Sequence, residues 1–91
     1  MLIEQYEIVK ESIFLFDNLE EKIKGRIVKI IKGANAAYQW DLNYYCRLDH
    51  EAGVYCPSAP FGDSMAETEH KLMSYVKRFE KAVQVVPNDF Y

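Results

Sequence analysis

Disulfide chemistry has little to work with in this chain. Cys46 and Cys56 are its only cysteines, too few for the cross-linked framework of a small secreted domain and without the C-x-x-C spacing of zinc or redox sites. Both are expected as reduced thiols. Long apolar runs are missing as well: none approaches the roughly 18 residues that cross a bilayer. The opening MLIEQYEIVKES carries acids where a signal peptide has basic residues before an apolar run, so a cytoplasmic protein without membrane association is expected. No Gly-rich phosphate loop, H-E-x-x-H, EF-hand pattern or G-x-S-x-G is present, which leaves no motif-based ground for a catalytic site, a bound metal or a cofactor.

The residues that could do chemistry are badly placed for it. Cys46, Asp49, His50, Glu51 and Cys56 crowd one turn, where a Cys-His pair could form a nucleophile or, with an acid, a metal site. A nucleophile needs its base within hydrogen-bond reach, and the strand pattern described below turns Cys46 to an apolar face while His50 sits in a solvated loop. His70 falls on the polar side of a helix, beside Glu67 and Lys71. Asp41 and Asp49 share a strand face, but the strand between them separates them by about 26 Å. A non-enzymatic protein is expected.

What the chain does have is apolar substance and a polar distribution of charge. Apolar residues make up 49 % and charged residues 27 % of 91 residues, the composition of an ordinary soluble protein, and the length suits one domain, residues 1–91. Across residues 1–21, Glu4, Glu7, Glu11, Asp17, Glu20 and Glu21 meet only Lys10; across 22–40, Lys22, Lys24, Arg26, Lys29 and Lys32 meet no acid. Leu2, Tyr6, Val9, Ile13, Phe16, Ile23, Ile27 and Ile30 recur at alternating steps of four and three, with Glu20 the polar break. That spacing predicts an apolar helical stripe. It admits one long helix from Leu2 to Lys32 stopped at Gly33, or two shorter helices with Asp17 or Asn18 capping the second. The run IFLF before DN also admits a short strand. The opposed charges would attract between antiparallel copies, or between two pieces folded back on each other.

From Tyr38 the pattern changes period. Tyr38, Trp40, Leu42, Tyr44, Cys46 and Leu48 alternate with Gln39, Asp41, Asn43, Tyr45, Arg47 and Asp49, the signature of a half-buried strand. A loop over 49–53 with Gly53 would return the chain as a hairpin, pairing Leu48 with Val54 and Cys46 with Cys56. Pro57 and Pro60 end the second strand early, so Tyr38 to Leu42 overhang and need another partner: Val83 to Val86, or the same strand of a second copy in a homodimer. A helix follows, capped by Asp63 or Ser64 with Glu67 completing a capping box, paired from Glu67 to Lys71, and closed by Pro87 at about Val86. Phe90 and Tyr91 either dock on the core or meet a partner.

The expected fold is therefore α+β: a long N-terminal helix or helix pair, an antiparallel β-hairpin, and a C-terminal helix packed on one sheet face. The expected function is protein binding, as an inhibitor, immunity or anti-defence type of protein that blocks a partner and forms a homodimer. Asp41, Asn43, Tyr45 and Arg47, with Tyr55 across the hairpin, mix aromatic, arginine and acid as interface centres do and form the expected contact face. The alternative is nucleic-acid binding, with Lys22, Arg26 and Lys29 on one face of a basic helix and Tyr38 or Trp40 stacking bases. An isoelectric point near 5.3 weighs against it.

Overall fold

The computed structural model describes residues 1–33 and 36–91. Its N-terminal third is a β-hairpin, which corrects the expectation of a long helix or helix pair. Strand β1 (Gln5–Phe14) runs antiparallel to β2 (Ile23–Lys32), and the DN dipeptide of Asp17 and Asn18 lies in the turn between them. Ile8, Val9, Ile13, Ile23, Ile27, Val28, Ile30 and Ile31 are β-branched, and such side chains lose rotamer freedom in a helix while packing well on a pleated surface. The charge polarity is used within the hairpin: Glu7 stands opposite Lys29 and Glu11 opposite Arg26. A bulge between Ile8 and Lys10 interrupts the period of two in β1, so its apolar residues fall at mixed steps that imitate helical spacing.

The aromatic segment is two strands. β3 (Tyr38–Leu42) pairs with β2, and β4 (Tyr44–Leu48) leaves for a second sheet. Asn43 makes the break. Its Nδ2 donates to the Lys22 carbonyl at 3.0 Å, its Oδ1 accepts from the Lys24 amide at 2.7 Å, and its own amide donates to the Lys24 carbonyl at 3.0 Å. With those bonds made, the chain is held to the end of β2 while the next residues turn away.

The expected hairpin register is also corrected. Tyr55, not Cys56, stands opposite Cys46 in a single antiparallel bridge, and its amide donates to the Cys46 carbonyl at 3.3 Å. The main partner of β4 is β6 (Ala82–Pro87). The C-terminal segment therefore pairs with the half of the aromatic run that was expected to pair locally. The overhanging half finds β2 on one side and β5 (Phe61–Gly62) on the other. The first sheet has the order β1-β2-β3-β5 and the second is β4-β6.

Helix α1 (Met65–Val76) begins as expected: Ser64 is the cap, its Oγ accepting from the Glu67 amide at 3.1 Å, and Lys71 pairs with Glu67 at 3.3 Å. It ends earlier than Pro87 required, passing into a 3-10 turn (Lys77–Lys81) before β6. The fold is thus mostly antiparallel sheet, 44 % of residues in strands, with one short helix. Ile23, Ile27, Trp40, Leu42, Cys46, Leu72, Tyr75, Val76 and Phe79 form its core. No helix is long and apolar enough to cross a membrane among the described residues.

Gly62 shows how closely β5 approaches α1, because a Cβ there would run into the Oγ1, amide and Cα of Thr68. Gly53 has open space around it. Gly62→Ala is expected to lower the free energy of unfolding in urea by about 1–3 kcal/mol through overpacking, while Gly53→Ala leaves the urea midpoint within experimental scatter.

Candidate protein-binding surface

Among the described residues, β1 is the longest strand with an unpaired edge. It is the outermost strand of its sheet, and only Ser12 and Phe14 in its ten residues are even half-buried. The pairing places Tyr6, Ile8, Glu11 and Ile13 on one face, against Ile30, Val28, Arg26 and Lys24, and Glu7, Lys10, Ser12 and Phe14 on the other. Ile8 and Ile13 are each 59 % exposed and Leu15, just past the strand, is 73 % exposed. An edge strand with free backbone donors and acceptors and bare apolar side chains is a template for another strand. Natural edges are usually protected by charge, and β1 carries Lys10, but its ammonium is drawn across the inner face to Glu69 at 2.6 Å.

The outer face of this sheet continues into a shallow cavity of about 450 Å³ lined by Tyr6, Ile8, Arg26, Val28, Gln39, Asp41 and Phe90. The chain's last residues lie across it. Tyr91 stacks over the Arg26 guanidinium at 4.3 Å and donates to Glu11 at 2.8 Å, while Phe90 remains 92 % exposed. Of the two terminal aromatics, one docks and the other stays open to solvent.

The residues expected to form the contact face are not gathered on one surface. Asp41 belongs to the first sheet, where it pairs with Arg26 at 3.2 Å and accepts from the Asn88 amide group at 2.9 Å. Burial pushes its carboxyl above the ordinary carboxylate range, against the opposite pull of Arg26. Asn43 is committed to the backbone of β2. Tyr45 packs against the core beside Asp41, and Arg47 spans Gln84 at 3.0 Å and the Glu51 carbonyl at 3.1 Å. Tyr55 stacks on Tyr75 with ring centres 6.0 Å apart. Asp41 and Tyr45 share a cleft that neither Arg47 nor Tyr55 lines.

The basic trio changes its meaning with the secondary structure. In a strand, Arg26 and Lys29 point to opposite faces, Arg26 is held by Asp41 and Tyr91, and Lys22 precedes β2. No continuous basic face results from these three. Cys46 is buried and His50 exposed, and no group of His, Cys, Asp and Glu suited to a metal ion occurs among the described residues. Val9 and Ile13, which belong to the expected helix stripe, are exposed. The signal for a hairpin was the DN turn, with acids before it and bases after it mirrored about Asn18.

Comparison with protein families, curated proteins and solved structures finds no match to this chain.

The turn after β4 is fastened by one carboxylate. Glu51 accepts from the Leu48 amide at 2.8 Å and pairs with Arg78 at 2.6 Å, and these two contacts hold its carboxyl below the usual range. A carboxylate with a lowered folded pKa contributes stability at neutral pH and loses it as pH falls through that lowered value. Glu67, lowered by the Asp63 amide and Lys71, adds in the same sense. The urea midpoint is therefore expected to fall in acid below pH ~4, and Glu51→Gln should reduce that fall without abolishing it. An unaltered acid dependence in this variant would contradict the clamp.

Proposed function

We propose that this protein acts by binding another protein through strand addition to β1, and that it blocks its partner by covering a strand edge, in the manner of an inhibitor or immunity type of protein. One observation carries the reading: a ten-residue edge strand with apolar side chains bare on its outer face and, among the described residues, no strand paired along its free side. Main-chain hydrogen bonds supply affinity in such complexes and alternate side chains supply specificity.

The composition of β1 narrows the partner. Glu7 and Glu11, with Glu4 just before the strand, against Lys10 make this edge acidic, and β2, the strand it already accepts, offers Lys29 and Arg26 opposite Glu7 and Glu11. A complementary strand is basic and apolar in alternation. A second β1 is not, so self-pairing there sets like charges near one another. The Tyr38–Leu42 edge through which a homodimer was expected is bordered by β2 along its length and by β5 at Tyr38 and Gln39.

A synthetic peptide with the sequence of β2, IKGRIVKIIK, is the direct probe. It is expected to shift amide resonances of β1 in an NMR titration and to bind several-fold more tightly than the same peptide with glutamate at the positions of Arg26 and Lys29. Ile8→Asp in the protein should weaken it further. Shifts elsewhere with β1 unmoved, or equal binding of both peptides, would overturn the reading.

A further inference from the structure

Helix α1 packs on one face of the first sheet, where Leu72 comes up to Gly25 and Tyr75 to Trp40. On the opposite, outer face, Tyr6 stands beside Ile30 and Ile8 beside Val28. Tyr6 and Ile8 are exposed, and Val28 and Ile30 are half-buried. A sheet face left in water is ordinarily polar. A contiguous apolar patch on such a face marks a place of contact with another molecule.

Next to this patch the chain holds a phenyl ring out into solvent. Asn88 is nearly buried, and its Nδ2 donates to the Leu42 carbonyl at 2.8 Å and to Asp41 at 2.9 Å. Its Oδ1 accepts from the Phe90 amide at 3.0 Å, and its carbonyl accepts from the Tyr91 amide at 3.3 Å. Tyr91 is fastened in turn by Glu11 and by the Arg26 guanidinium beneath its ring. Phe90 lies between two anchored residues and is itself 92 % exposed. With the backbone already fixed on both sides, little further ordering is lost when such a side chain is bound.

Phe90 also borders the hollow of about 450 Å³ whose other walls are Tyr6, Ile8, Val28, Gln39 and the Arg26–Asp41 pair. A projecting ring and a hollow large enough for one therefore share a single surface. The charged groups of the outer face are two acids, Glu11 and Asp41, and two bases, Lys24 and Arg26. They balance, so the face neither repels a copy of itself nor selects a partner of opposite charge. We infer that the outer face is a dimer interface with a second copy of this chain, each copy seating its Phe90 in the hollow of the other. A twofold axis beside Phe90 makes both contacts at once, as an isologous interface requires. The contact uses the face of the sheet and leaves the β1 edge free, so it stands whether or not strand addition occurs there.

Sedimentation velocity from micromolar to millimolar protein reads the association directly. The chain is expected to pass from monomer to dimer as concentration rises. Phe90→Ala should weaken the dimer at least about tenfold, as loss of a central aromatic anchor does. Its NMR spectrum should stay dispersed, because Phe90 lies outside the core. Gln39→Trp fills the hollow from β3 while keeping Phe90, and should weaken the dimer likewise. An equimolar mixture of the two variants regains one of the two insertions, so it is expected to associate more tightly than either variant alone. A monomer at every concentration, a dimer indifferent to Phe90→Ala, or a mixture no tighter than its components would overturn the inference.

Discussion

The architecture depends on Asn43. Between β3 and β4 the chain must leave one sheet for another, and every backbone polar group at such a break needs a partner. Asn43 meets the need on one side through its amide group and main-chain N–H, bound to Lys22 and Lys24. Its carbonyl accepts from the Asn88 amide at 2.8 Å, and the Asn88 side chain donates to the Leu42 carbonyl at 2.8 Å. Two asparagines, far apart in sequence, thus join the end of the hairpin, the break in the aromatic run and the C-terminal tail. Because β4 is released there, β6 has a strand to pair with, and Tyr91 is carried back over the outer face of the first sheet.

The same constraint sets which edges remain open. β2 and β3 are enclosed within the first sheet, and β4 is bordered by β6 and the Tyr55 bridge. β1 is left outermost, on a hairpin that gives the molecule its length, 42 Å against 23 Å in the other two directions. The acidic and basic blocks meet within the hairpin, with Glu7 opposite Lys29 and Glu11 opposite Arg26. What they leave unanswered is the far side of β1, where acids and bare apolar groups face solvent together. The groove beside Trp40 has a different character, lined by aromatic rings together with Lys71 and Arg78.

Parts of this were legible in the residues. The Ser64 cap and the Glu67–Lys71 pair follow from local chemistry that tertiary context does not disturb. The period of two from Tyr38 correctly put Trp40, Leu42 and Cys46 inside. The N-terminal strands were not legible by periodicity, because β1 is exposed on both faces and bulged at Val9. A strand with no buried side has no reason to alternate. The early end of α1 was hidden too: Val83, which continues the helical spacing, is instead exposed on β6. In the candidate site, the mixed face of Asp41, Tyr45 and Arg47 looked continuous only because the break at Asn43 is silent in an alternation that runs straight through it. The burial of Trp40 Nε1 and Arg78 Nε without hydrogen-bond partners left no mark in the sequence, since it arises from packing between distant segments.

Amide hydrogen exchange along residues 5–14, in the protein without any ligand, tests the central claim that the chain ends its first sheet on an open strand. The account predicts alternation: amides turned toward β2 exchange slowly, and those turned to the free side exchange at nearly the rate of unstructured chain. Uniform protection along the segment would contradict it, because that result requires either a helix or a strand already seated on the outer edge.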